Sequence, residues 1–196
     1  MVVDPADPRL VELTKKGDQV AFSQLVAKYQ KKVFNLCFRF LNDQEEAKDM
    51  TQDIFVRVFK GIKDFREEAS FSTWLYYIAC NTCKNKLRSW RSQPYIDSLD
   101  RTIETEDDEM TVEVQDKSCP DPSKQAEAGE IRDKVQKAIA TLNPEHREVI
   151  ILRDIQGFSY DEIAAAAGCN LGTVKSRLAR ARLELKDKLK GVIQNG

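Results

Sequence analysis

Apolar side chains recur at steps of three and four along most of this chain, and no stretch alternates at every second position. Phe22, Leu25, Val26, Tyr29, Val33, Cys37 and Phe40 form one such stripe, and Ala47, Met50, Ile54, Val58 and Ile62 form another. That is the period of a helix with one buried side. Asp7-Pro8 supplies a cap and a first-turn proline for an earlier helix, and Gly17 supplies its stop. A short polar loop around Phe65–Ser70 precedes a long helix that contains Trp74, Leu75, Ile78, Ala79, Thr82 and Leu87 and closes near Pro94. Ile131, Val135, Ala138, Ile139 and Leu142 mark a further helix, and Pro144 opens one that ends near Gly157. The predicted fold class is all-α.

The last forty residues carry a sharper pattern. Ser159 and Glu162 stand at the spacing of a capping box, in which two side chains satisfy free N–H groups at a helix start. That helix runs to about Ala167. Gly168-Cys169-Asn170 then makes a tight turn, with Asn170 able to cap the final helix, so the layout is helix-turn-helix. Along the final helix Leu171, Val174, Leu178, Ala181, Leu185 and Leu189 share one side and are expected to pack. Thr173, Ser176, Arg177 and Arg180 occupy the other, flanked by Lys175 and Arg182. A cationic helix with a small polar N-terminal end suits the DNA major groove, where arginine pairs with guanine O6 and N7 and other bases meet phosphates. The plainer reading is an amphipathic helix with a solvated basic face.

Charge changes the picture once it is placed along the chain. The 196 residues hold 31 Lys and Arg against 32 Asp and Glu, a formal net charge of −1, which by itself argues against a nucleic-acid partner. Residues 97–121, however, hold ten acids and two bases, a net of −8, so the remainder carries +7. That acidic stretch has Pro94, Pro120 and Pro122 around it and no sustained apolar period, and it reads as a flexible linker. The expected organisation is therefore a helical domain over 1–95, an acidic linker over 96–124 and a second helical domain over 125–196.

Composition excludes other classes. With 41% apolar and 32% charged residues the chain reads as globular, and no apolar run approaches the roughly 20 residues that span a bilayer. Five irregularly spaced cysteines, with no signal-peptide pattern ahead of them, point to a reducing, cytoplasmic setting. One histidine and eight glycines leave little for His-based catalysis or for a phosphate-cradling loop, so neither enzyme chemistry nor a cofactor is expected.

Gly157-Phe158-Ser159-Tyr160-Asp161-Glu162-Ile163-Ala164, followed by Leu171-Gly172-Thr173-Val174-Lys175-Ser176-Arg177-Leu178-Ala179-Arg180-Ala181-Arg182, closely resembles region four of bacterial sigma factors, above all the extracytoplasmic-function (ECF) class. The resemblance implies recognition of the promoter −35 element and places Lys175, Ser176, Arg177 and Arg180 against DNA. Thr173 lies on the same face. Ala47-Lys48-Asp49-Met50-Thr51-Gln52-Asp53-Ile54-Phe55 resembles the region two segment that grips core RNA polymerase, which implies contacts from Asp49, Gln52, Asp53 and Phe55.

Phe65-Arg66, Phe71-Ser72-Thr73-Trp74-Leu75-Tyr76-Tyr77-Ile78-Ala79, Asn81 and Asn85 resemble the segment that reads and melts the −10 element. By that pattern Asn81 reads a base, the Phe65–Ser70 loop encloses a flipped one, and Trp74, Tyr77 and Asn85 belong to the same surface. Lys84, Lys86, Arg88 and Arg91 add four bases in eight residues, suited to melted DNA. Trp74 and Ile78, at an i, i+4 step, read equally well as core. The resemblance further implies an anti-sigma partner that masks both domains until a signal arrives, and a linker that follows the polymerase's basic RNA channel.

Three other readings compete. A stand-alone helix-turn-helix regulator would use the final helix and leave Asp49, Gln52 and Phe55 without a task. A metal-dependent nuclease would use Glu46, Asp49 and Asp53, at i, i+3 and i+7 on one helix side, but has no accompanying base or second carboxylate set. Cys80 and Cys83 form a C-x-x-C without a second Cys or His pair, so no metal site is expected; small buried side chains explain them, with redox sensing as the sharper alternative.

Overall fold

Short polar residues at helix starts and left-handed residues at helix ends divide the first unit into its elements. The computed structural model describes residues 7–92 and 122–193, and no strand occurs among them. α1 spans Asp7–Lys15, α2 Gln19–Leu41, α3 Gln44–Gly61 and α4 Phe71–Ser92. Gly17, at φ +96°, ends the α1 turn in a conformation that disfavours any side chain. Asp18 then opens α2 by accepting from the Val20 and Ala21 amides at 2.8 and 3.0 Å. Asn42 closes α2 at φ 55° with its N–H on the Phe38 carbonyl, and Asp43 opens α3 by accepting from Glu46 N at 2.9 Å.

These caps aim the apolar stripes inward. Leu25, Val33, Cys37 and Phe40 of α2 meet Ala47, Ile54 and Val58 of α3 and Leu75, Ala79 and Cys83 of α4, all buried. Asp7 does not spend its carboxylate on its own helix. It is buried and accepts from Tyr29 Oη and Lys28 Nζ, which ties α1 to α2.

In the second unit α5 spans Pro122–Ala140, α6 Pro144–Ile150, α7 Tyr160–Ala167 and α8 Leu171–Ile193. The α5 start at Pro122 falls inside the span expected to be linker; residues 96–121 of that span lie outside the described ones. Asn143 caps α6, accepting from His146 N at 2.8 Å, with Pro144 where no N–H is needed. After Ile150 the helix widens into one π turn over Ile151–Ile155, which the sequence pattern did not predict. Both halves of the capping box form: Glu162 N donates to Ser159 Oγ at 3.2 Å and Ser159 N to Glu162 Oε2 at 2.8 Å. Gly168, at φ 62°, ends α7, and Asn170 Oδ1 accepts from Thr173 N at 2.8 Å to start α8.

Leu142, Val149, Ile150, Ile163, Val174, Leu178 and Ala181 are buried between these helices. Two residues expected to pack do not: Ile131 is 61% exposed and Leu171 37%. The buried apolar side chains of the two units run together as one cluster, which brings α5, α6 and α7 against α2 and α4.

Candidate nucleic-acid interface

α8 is anchored on one side by Val174, Leu178 and Ala181, so its other side is held outward by packing. Lys175, Ser176 and Arg180 are exposed there. Thr173 is half-buried beside the Asn170 cap, and Ser176 Oγ donates to the Thr173 carbonyl at 3.0 Å. Arg177 is half-buried as well, and turns toward Glu145 and Glu148 of α6, whose carboxyls feel its charge. The open cationic face therefore consists of Lys175 and Arg180, continued by Arg182, which donates to Asp154 in a two-toothed pair.

The second candidate surface is built on the loop before α4. Ser70 fixes the α4 start: its Oγ accepts from Thr73 N at 3.1 Å and shares hydrogen bonds with Ser72 and Thr73 at 2.9 and 2.8 Å. Phe65 is buried and stacks on half-buried Trp74, with ring centroids 4.8 Å apart and planes at 26°. A Cβ on Gly61 would meet the Trp74 ring at 3.4 Å, so the glycine lets the indole lie against α3. Trp74 is thus partly core and partly wall, since it also borders an open cleft of about 270 Å³ together with Phe65, Glu67, Thr73 and Tyr77. Glu67 sits at φ 60° and pairs with Lys15 at 2.5 Å, which pins the loop to α1. Tyr77 is 42% exposed, Asn81 half-buried and Asn85 exposed.

Lys84 is not open to solvent as a basic surface would be, and Arg88, though exposed, is held by a carboxylate. Lys84 is buried, with its ammonium 2.9 Å from Glu148 Oε1 and donating to Oε2 at 3.0 Å. Arg88 donates to Glu145 Oε1 at 3.0 Å, and Lys86 pairs with Glu46 at 2.8 Å. Burial raises the Glu148 carboxyl above the usual carboxylate range even though Lys84 pulls it down. The Glu145 carboxyl is held below that range by hydrogen bonds from its own backbone and Arg88, which outweigh its partial burial. Sequence reasoning missed these acids, because 64 and 57 residues separate them from their partners.

On α3, Asp49, Gln52 and Asp53 are exposed along one side, whereas Phe55 is buried at 7% exposure in the core of the first unit. Phe55 therefore supports that face from beneath instead of presenting its ring there. No cluster of three or more His, Cys, Asp or Glu placed to hold a metal occurs among the described residues. Cys80 and Cys83 point inward. Cys83 Sγ lies 3.8 Å from Cys37 Sγ, and the Cys83 thiol is pushed well up by that hydrogen bond and by burial. Burial likewise pushes the Cys80 thiol well up, so neither is an activated thiolate.

Two arrangements hold the units together away from α4. The buried Arg147 guanidinium donates to the carbonyls of Phe40, Ala140 and Leu142, and burial pushes its pKa down to about 10. Gln136 Nε2 donates to the Phe38 and Arg39 carbonyls at 3.2 and 3.4 Å, and Gln136 Oε1 accepts from Arg39 Nη1 at 2.9 Å. Second-unit side chains thus meet carbonyls in the last turn of α2, where a helix runs out of its own donors; the Phe38 carbonyl takes Gln136 in addition to the Asn42 N–H.

The Sigma-70 region 2 family matches residues 25–92, and the Sigma-70 region 4 family matches residues 132–185. The chain is 38% identical to the ECF RNA polymerase sigma-E factor of Escherichia coli over 188 residues, 96% of each chain. It superposes on CnrH, solved in complex with the cytosolic domain of CnrY, with a TM-score of 0.66, 25% identity and coverage of 95% of this chain and 99% of that one. A Bartonella quintana sigma factor RpoE, solved with the anti-sigma factor NepR, shares the fold with a TM-score of 0.60 at 24% identity over 86% of this chain and 96% of its own.

Proposed function

The chain belongs to the sigma-70 family of RNA polymerase sigma factors, in its extracytoplasmic-function class, and on that premise we propose how its own residues divide the work of initiation. Residues 1–95 engage core polymerase through Asp49, Gln52 and Asp53, with Phe55 bracing them from the core. The same domain takes the melted −10 element: Phe65 and Trp74 wall a pocket for an extruded base, Ser70 fixes the loop that closes it, and Tyr77, Asn81 and Asn85 line the approach. Lys84 and Arg88 neutralise the −10 backbone. Opening a duplex exposes base faces and leaves phosphates to be met, so aromatic walls beside cations suit it. Residues 125–196 read the −35 duplex through Thr173, Lys175, Ser176, Arg177 and Arg180, and residues 96–124 join the two.

What supports this reading most is α8: a capped helix after a glycine turn, anchored by Val174, Leu178 and Ala181, with Lys175 and Arg180 held into solvent. The chain acts as a non-catalytic cytoplasmic subunit, and no helix among the described residues is long and apolar enough to cross a membrane. An anti-sigma protein, the partner seen with the Bartonella relative, keeps it from polymerase until a signal releases it.

The test adds the chain to purified core RNA polymerase and maps transcript starts on a promoter library. Starts that depend on both −10 and −35 sequence are expected. Failure to initiate, with tight duplex binding by the chain alone, would replace this reading with a stand-alone helix-turn-helix regulator. Asn81→Ala is expected to alter −10 preference while core binding is unchanged; lost core binding would remove Asn81 from base reading.

A further inference from the structure

Every fourth side chain from Tyr76 along α4 faces the second unit: Tyr76, Cys80, Lys84 and Arg88 form one stripe, and α6 with the segment after it covers that stripe from end to end. The Tyr76 ring meets Phe158 edge-on, with centroids 4.9 Å apart and planes at 77°. The Cys80 thiol lies against the Glu148 carboxylate. Lys84 is buried on Glu148, and Arg88 donates to Glu145. Beside the stripe, Tyr77 packs beneath Gly168, where an added Cβ would come within 3.7 Å of its ring, and Ala165 of α7 borders the cleft that Phe65 and Trp74 wall.

The acids involved are two on one side of one helix, three residues apart, facing two bases four residues apart on another. A pair of fixed negative groups is what successive phosphates of a DNA strand would offer the same bases. Glu148 is fully buried, and its carboxylate is retained there by the ammonium opposite. Arg177 of α8 faces the same two acids, so one acidic pair engages candidate bases of both reading helices.

We propose that Glu145 and Glu148 are an internal stand-in for promoter phosphates, which in the free chain hold Lys84, Arg88 and the −10 face of α4 against the second unit, so that single-stranded −10 DNA binds only after that unit moves away. The inference rests on the assignment of Lys84 and Arg88 to the −10 backbone. It makes the chain self-masking without any partner protein. Polymerase, by drawing the two units to separate docking places, would expose the face where melted DNA is at hand.

The experiment uses the full chain and a −10 non-template oligonucleotide, with two readouts: fluorescence anisotropy for DNA binding, and N-ethylmaleimide labelling of Cys80 followed by peptide mass. In Glu145→Gln/Glu148→Gln, both Cys80 labelling and oligonucleotide affinity are expected to rise about tenfold or more, as loss of a buried pair frees the contact. Glu145→Gln alone, at a half-exposed site that cannot disturb the core, should raise affinity about two- to threefold. No rise in either readout with helicity intact by circular dichroism overturns the inference, as does exposed Cys80 without a gain in DNA binding. Lys84→Ala/Arg88→Ala in the holoenzyme separates the two levels. Unimpaired promoter opening removes the −10 assignment and the inference with it; impaired opening while the glutamine variants gain nothing removes the masking alone.

Discussion

α4 and α8 carry similar cationic chemistry and are held in opposite ways. α4 has four bases in eight residues and no acid among them, yet Lys84, Lys86 and Arg88 each face a carboxylate from another helix. Along α8 Arg177 turns toward Glu145 and Glu148, Arg182 pairs with Asp154 and Lys188 with Glu184, while Lys175 and Arg180 stand exposed. A run of bases therefore says where charge is, while packing decides whether it is offered. An exposed face steers DNA immediately and is screened by salt, whereas a buried pair holds its partner until a conformational step separates them.

Arg147 gives the hardest way to break this comparison, because it fastens the unit that covers α4. Arg147→Ala strands carbonyls on α2, on α5 and in the turn after it, and is expected to destabilise the chain by about 3–4 kcal/mol in urea unfolding. A loss below about 1 kcal/mol would mean that water replaces the guanidinium there. Next in size, Arg180→Ala should reduce discrimination among −35 sequences by about 1–3 kcal/mol if the side chain reads a base. Lys175→Ala should weaken all duplexes alike and flatten the salt dependence, as a phosphate contact does. Reversed outcomes would exchange the two roles.

Ser159→Ala should cost about 1 kcal/mol of stability by opening the capping box, which would show whether α7 needs its own start or is held by α4 and α8. The smallest expected effect is that of pH. Glu145, lowered in the packed state, contributes above the ordinary carboxylate range and is lost as pH falls through its own lowered value. Contact between the units should therefore loosen as pH falls below the ordinary carboxylate range, read as a rise in the radius of gyration by small-angle scattering. In Glu145→Gln that loosening should shrink.

Most local features were legible because they have local causes. The all-α class, the capping box at Ser159 and Glu162, the left-handed turn at Gly168 and the Asn170 cap each depend on residues within a few positions of one another. The polar loop from Phe65 to Ser70 and the outward face of α8 followed from the same spacing rules. What was not legible depends on distant partners. Nothing near Lys84 announces Glu148, nothing in α3 says that Phe55 turns inward, and the exposure of Ile131 and Leu171 follows from which helices arrive beside them. The π turn after Ile150 has no signature in residue type.

The α2 end also has a history in time. Its carbonyls leave the ribosome about a hundred residues of synthesis before the side chains that bind them, since Gln136 stands 97 positions after Arg39 and Arg147 stands 107 after Phe40. Domains made first fold first. The nascent first unit must therefore close its core with water on those carbonyls, and exchange that water for an amide and a guanidinium only when the second unit emerges. The clasp between the units is added to a helix that has already formed, and it can be withdrawn without undoing that helix.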